Sequence, residues 1–347
     1  MIQNKTRTSK NLTQREKTEM KSLKNIVAAA LLATASLVGT SAVALAEYPE
    51  KPITLIVPHA AGGPTDTVSR LIAESMQKTL GQTIVVENVG GAGSTVGTAR
   101  AARAEADGYT LLLNHVAMAS MVTLYRKLDF HSDKNFDGIG RITDVPMSII
   151  AKANYAANDI AGLIEAVKAN GDKTLYGHAG VGSASHLCGM LFMDALKTKM
   201  TTVSYKGTGP AMKDLLGGVF DMMCDQTTNT VPQIAGGKVK GYAVTTPQRL
   251  DVLKDLPTLQ EAGLKDFNMT VWHGLFTPAG TPDDVKTKLS GALQAALADP
   301  AVVEAFAKLG TSPVAAEAAT PASMDAYLAA QIDLWKPIIE ASGTHAD

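Results

Sequence analysis

Four loops hold most of the groups that could do chemistry. They are Pro58-His59-Ala60-Ala61-Gly62-Gly63-Pro64-Thr65-Asp66, Gly91-Ala92-Gly93-Ser94-Thr95-Val96-Gly97, the stretch "AGVGSASH" ending at His186, and "KGTGP" starting at Lys206. Each stands between an apolar run and a helical pattern. A chain turning from strand into helix leaves the first helical N–H groups unpaired and carries the positive end of the helix dipole, which suits a carboxylate or phosphate. Gly62 and Gly63 let backbone approach a ligand with no Cβ in the way, and Thr65 suits an N-cap whose hydroxyl serves the helix or a ligand. A plain capped turn explains any one of these loops; four in one chain favour a ligand site. Asp66 would repel an anion unless it points away, so it reads as a structural acceptor for a neighbouring loop, the alternative being a partner for a ligand ammonium.

The second loop has a GxGxxxG spacing, but the acid expected after the next strand is missing, because residues 109–113 end in Asn114-His115. No Gly-Lys-Ser/Thr follows any glycine run, so no nucleotide or other cofactor is expected. Gly93, Ser94 and Thr95 read instead as a carboxylate cradle. In the third loop Ser183 and His186 stand three apart at a helix start and can share a face. An N-cap serine with His186 at N3 accounts for them without nucleophilic chemistry, and a catalytic pair would need an orienting acid that the spacing does not identify. His186 is expected to contact ligand or water in a crevice. Lys206, beside Gly207, offers a mobile cation for an anion, with a solvated lysine as the alternative. The histidines show no metal spacing, and His178, His186 and Cys188 match no zinc pattern, so no metal site is expected.

The elements that must position these loops follow from periodicity. Residues 53–57 read as a buried strand and 65–80 as a helix with Val68, Leu71, Ile72, Met76 and Leu80 on one face, ended by Gly81. Strands at 83–87, 109–113, 174–178, 202–205 and 221–224 alternate with helices, which predicts an α/β protein with parallel or mixed sheets flanked by helices. The loops at the strands' carboxyl ends would then line a crevice. Residues 136–154 read as strands leaving one domain for another, and residues 269–282 as the return, before helices at 283–298 and 321–341. Two lobes, 48–144 plus 270–347 and 145–269, joined by two hinge crossings, make a clamshell that closes on a ligand.

Residues 1–46 stand apart. Lys21 and Lys24 precede an apolar stretch from Ile26 to Leu45 that ends in Ala44-Leu45-Ala46, the pattern of a cleaved signal peptide, with Met1 or Met20 as start. Its removal, with seven Lys/Arg and two Asp/Glu, leaves a net charge of about −6. That balance disfavours nucleic acid and anionic membrane surfaces. The remainder, 46% hydrophobic before cleavage, is long enough for two domains and is expected outside the cytoplasm as a monomer. Cys188 and Cys224 can form one disulfide there or remain two buried thiols; spacing leaves both open.

Seven stretches, in order, carry a resemblance: "YPEKPITLIVPHAAGGPTD", "VVENVGGAGSTVGT", "ADGYTLLL", "GSASHLCGMLF", "YKGTGPAMKDLLGGVFD", "TLQEAGL" and "GLFTPAGTP". Together they resemble the periplasmic solute-binding receptors of tripartite tricarboxylate transporters, the Bug family, over nearly the whole chain after the signal segment. The resemblance implies a two-lobed periplasmic binding protein of type II-like form that delivers a small carboxylate to a membrane permease of one large and one small subunit. It further implies that the ligand's carboxylate is held by Ala61, Gly62, Gly63, Thr65 and Asp66 and by Gly93, Ser94 and Thr95, with Ser183, His186, Lys206, Gly207 and Asp225 from the second lobe. The chain departs from the family pattern at His59, commonly Phe, and Pro64, commonly Gly; Pro64 removes one N–H donor. In residues 114–121, His115, Met118 and Met121 suggest a partly apolar ligand wall, the alternative being lobe core. A receptor for a two-component sensor, or a secreted hydrolase using Ser183 and His186, are the competing readings.

Overall fold

The computed structural model describes residues 48–346, so the expected signal peptide, residues 1–46, lies outside the described residues. The first half of the fold is built from β1 (Ile53–Val57), α1 (Pro64–Leu80), β2 (Ile84–Asn88), α2 (Thr95–Ala102), β3 (Thr110–His115) and α3 (Ala117–Leu124). A 17-residue strand, β4 (Phe136–Lys152), leads into α4 (Ile160–Asn170), β5 (Leu175–His178), α5 (Ala184–Leu196), β6 (Thr201–Ser204) and α6 (Thr208–Leu216). There follow β7 (Met222–Gln226), α7 (Thr227–Ala235), β8 (Val239–Val244) and β9 (Thr270–Pro278), then α8 (Asp283–Ala298), α9 (Pro300–Lys308) and α10 (Pro321–Ser342).

Local chemistry accounts for the first unit. β1 is an almost uninterrupted apolar run, buried as a strand covered on both faces must be. Helix α1 opens with Gly63 at the N-cap and Pro64 at its first position. Thr65, expected as the cap, is displaced inward because proline's fixed φ and missing N–H fit the first helical position. Gly81, at φ +68°, ends the helix and returns its N–H to the Gln77 carbonyl.

The strands form one connected sheet in the order β2-β1-β3-β9-β4-β7-β5-β6, with β8 also on β4. Pairings of β1 with β2 and β3, and of β5 with β6 and β7, are parallel, while every pairing of β4 and β9 is antiparallel. The sheet is therefore mixed. Residues 136–154, read as more than one strand, are largely a single strand that changes partners midway: Pro146 lies opposite Thr270 of β9, and the next residue, Met147, lies opposite Gln226 of β7. A proline suits that point because it has no N–H to give to either ladder. Thr245, fully buried, ties both passages together: its Oγ1 donates to the Met269 carbonyl at 2.6 Å and accepts the Met147 N–H at 3.1 Å.

Cys188 on α5 and Cys224 on β7 are joined in a disulfide with Cα atoms 6.1 Å apart, which resolves the choice that spacing left open. Met118 and Met121 lie in α3 and are buried in the main apolar cluster, so they are core rather than ligand wall. Among the described residues no helix is long and apolar enough to cross a membrane.

Candidate functional site

The carboxyl ends of β1, β3, β5 and β7 converge where the two halves of the sheet meet. A narrow cavity of about 10 Å³, room for about one water, lies between them; a small-molecule site needs roughly 300 Å³ or more, so the two halves must part to admit a ligand. From the first half it is lined by His59, Gly63, Pro64, Thr65 and His115; from the second by Ala179, Ser183, Thr208, Asp225 and Gln226, among others. Five of the expected residues, Gly63, Thr65, His115, Ser183 and Asp225, thus meet around one space.

The other expected residues lie around that space. The rim is a seam of backbone against backbone. The Ala60 N–H donates to the Lys206 carbonyl at 3.1 Å. A Cβ on Gly209 would stand 2.7 Å from the Ala61 carbonyl oxygen and about as near to Gly62 and Gly63, so this approach needs a residue without a side chain. A Cβ on Gly207 would meet the Ala60 nitrogen at 2.8 Å. Gly93 abuts the Val181 carbonyl, Ser120 Oγ donates to the Gly182 carbonyl at 2.8 Å, and Tyr125 Oη lies between the carbonyls of Ala92 and Val181, at 2.7 and 3.0 Å. Lys206 lines a separate, open groove with Ala92, Tyr125, Val181 and Tyr205.

Several polar groups are already committed. Asp66 accepts the Gly62 N–H at 2.9 Å and pairs with Arg70 at 3.0 Å, so it braces its own loop. Burial pushes its pKa up, but the hydrogen bonds from Arg70, Gly62 and Asn88 win and hold it below the usual value. Thr95 Oγ1 donates to the Ala92 carbonyl, and Ser94 Oγ stands 3.5 Å from Asn114 Nδ2. Ser183 caps α5, accepting the His186 N–H, and its hydroxyl donates to the Gly180 carbonyl at 2.6 Å. His186 Nδ1 accepts the Gly182 N–H at 3.3 Å. These bonds are those of a capped helix start, with the serine proton and the imidazole lone pair each given to backbone.

Two imidazoles, His59 and His115, line the cavity and three more stand near it. His59 and His115 stack with centroids 4.6 Å apart, His273 meets His115 edge-on at 5.7 Å, and His178 and His186 lie 5.0 Å apart. Burial lowers all five, His59 and His186 to about 4 and His273 to about 3, so they are neutral at pH 7. Asp225 is pushed up to about 7 by burial, against the opposing bonds from Asn229, the Gln226 N–H and Thr208. Among the described residues no cluster of three or more His, Cys, Asp or Glu could hold a metal.

The sequence reading did not place Thr208, Gln226 or Ser185 in the site, nor His273 behind it. Gln226 ends β7, so the rule that ligands bind beyond strand carboxyl ends would have found it. His273 arrives on β9 from far along the chain and gave no local signal.

A cleft between two α/β halves, entered by strand ends and helix starts, defines the class of solute-binding receptors. Residues 68–344 match the family described as "Tripartite tricarboxylate transporter family receptor", and the chain belongs to it. It is 49% identical over 314 residues to the UPF0065 protein in the TAR-I ttuE-ttuC' intergenic region of Agrobacterium vitis, covering 90% of this chain and 91% of that one. Among solved structures it is similar to the periplasmic binding protein BugD, at 48% identity and TM-score 0.84 over 86% of this chain and 99% of that one. It is also similar to MatC from Rhodopseudomonas palustris with bound malate, at 38% identity and TM-score 0.81 over 84% and 100% of the two chains. The fold is accordingly the two-lobed one of periplasmic binding proteins.

Proposed function

We propose that this protein is a periplasmic receptor that closes on a small carboxylate and presents it to a membrane permease of one large and one small subunit, without transforming it. Residues 48–144 with 270–347 form one lobe and residues 145–269 the other. The observation that carries the reading is the cavity between the lobes, where the start of α1 meets the starts of α5 and α6 with Gly63, Thr65, Ser183 and Thr208 turned to one space. Helix starts present N–H groups and positive dipole ends, which complement an anion while leaving no charge to balance when it departs. Ala61, Gly62 and Gly207 supply the close backbone approach, and Gly93, Ser94, Thr95, His186 and Lys206 join the ligand's surroundings as the lobes open and close.

Malate bound to MatC supports the ligand class. The test is a thermal-shift and fluorescence panel of mono-, di- and tricarboxylates, since a ligand that binds only the folded state raises the melting temperature. Trp272, buried beside His273 at the lobe crossing, provides the optical signal. A melt raised by carboxylates, with the ligand recovered chemically unchanged, is expected; no shift from any carboxylate at millimolar concentration, or turnover lost in Ser183→Ala, contradicts the reading.

A further inference from the structure

Two hydroxyls of the first lobe reach across the mouth of the cleft. Ser120 Oγ, on α3, donates to the Gly182 carbonyl at 2.8 Å and also lies 3.3 Å from the Ala117 carbonyl of its own helix. Tyr125 Oη, on the residue after α3, lies 3.0 Å from the Val181 carbonyl and 2.7 Å from the Ala92 carbonyl. A hydroxyl has one proton to give, so each stands between two acceptors. In both cases one acceptor belongs to the lobe that carries the hydroxyl and the other to the opposite lobe.

That arrangement decides what opening costs. A donor stripped of its acceptor in a buried place is costly, and a bond of that kind across a cleft would resist release. Here the Ser120 proton has Ala117, three residues back on the same helix, as serine hydroxyls commonly do, and the Tyr125 proton has Ala92. The bonds across the cleft are therefore made on closure and given up on opening with no donor left orphaned.

The acceptors are placed for this use. Val181 and Gly182 belong to the turn from β5 into α5, and that turn has its other polar groups engaged within its own lobe. The Gly180 N–H is taken by His178 Nδ1 at 3.1 Å, the Gly182 N–H by His186 Nδ1 at 3.3 Å, and the Gly180 carbonyl by Ser183 Oγ at 2.6 Å. The Val181 and Gly182 carbonyls are left to the first lobe. Gly180, at φ +105°, brings the turn so near that a Cβ on it would stand 2.7 Å from the Gly93 nitrogen. The turn runs directly into Ser183, at the inner cavity, so the two hydroxyls hold a helix start that faces ligand. Among the described residues, those lining that cavity include neither Ser120 nor Tyr125.

We propose that Ser120 and Tyr125 form a releasable latch that sets how long the receptor stays closed, and so the dissociation rate of every ligand, while taking no part in recognising it. The inference rests on the reading of the protein as a two-lobed carboxylate receptor. Stopped-flow tryptophan fluorescence with malate, adipate and citrate as probes tests it in the wild type, Tyr125→Phe, Ser120→Ala and the double variant. Thermal melts without ligand establish that the variants are folded, and Tyr125, which borders the open groove, loses only one oxygen. Each single substitution is expected to speed dissociation by roughly 2- to 10-fold, the size of one hydrogen bond, and the double variant by more than either. The factor should be the same for each probe that binds, with the association rate unchanged. Unchanged dissociation in the double variant, faster dissociation of one bound probe but not another, or slower association at an unchanged dissociation rate would each overturn the proposal. If none of the three probes binds the wild type, the receptor reading fails and the proposal with it.

Discussion

The rim of the cleft and its interior are built from different materials. At the rim, Ala60 to Gly63 meet Lys206 to Gly209, and Gly93 meets Val181, through carbonyls, N–H groups and glycine Cα atoms. In the interior, imidazoles, hydroxyls and Asp225 face one another. Backbone contacts at the rim carry little information about which ligand is enclosed, whereas the interior side chains present fixed donors and acceptors. Closure and selectivity are thus assigned to separate parts of the cleft.

Substitutions at the rim should therefore weaken binding of every ligand alike. Gly209→Ala has the largest expected effect. It is the second residue of α6, and an alanine methyl there would stand 2.7 Å from the Ala61 carbonyl oxygen. Overpacking of that kind costs about 1–3 kcal/mol, so affinity for every ligand should fall by roughly 10- to 100-fold. A loss of affinity confined to one ligand would break the division between rim and interior.

The interior is tested by pH. Asp225 has its pKa raised to about 7 by burial, so it is neutral on the acid side and charged above, where it repels an anionic ligand. Carboxylate affinity, measured by calorimetry, should drop roughly tenfold between pH 6 and pH 8, and Asp225→Asn should flatten the profile. The effect on stability has the same direction: a carboxyl whose folded pKa lies above its unfolded value contributes fully below the unfolded value and loses that contribution as pH rises through about 7.

The histidines act in the opposite sense. Their folded pKa values lie below 6.5, so the unfolded chain takes up more protons as pH falls. Melting temperature should decline from pH 6.5 towards pH 4, and less steeply in His59→Phe. The smallest effect is expected at the crossings. Thr245→Val removes the hydroxyl that bonds Met269 and Met147, at a cost of about 1 kcal/mol seen in the melt.

Much of this was legible in the chain itself. The strand, glycine turn and helix succession gave all four loops, because orphan helix-start groups and flanking apolar runs are local features. Helix α3 was missed: Ala117–Leu124 is nearly all apolar, so no face stands out, and its cap is the His115 ring, accepting the Ala117 N–H, rather than a serine or aspartate. Helix α7 was hidden by Pro232 near its end. The five clustered imidazoles were beyond reach for a different reason. His59 follows β1, His115 ends β3 and His273 lies on β9, and the register of β3 with β9, which sets His115 opposite His273, brings these distant residues together; His178 and His186 pair separately across the turn from β5 into α5.

The most direct test is a crystal structure of the protein with a bound carboxylate. Density for the ligand is expected between Gly63 and Thr65 on one side and Ser183, Thr208 and Asp225 on the other. A ligand found instead in the open groove by Tyr125, Val181 and Lys206, leaving the interior unchanged, would contradict the account.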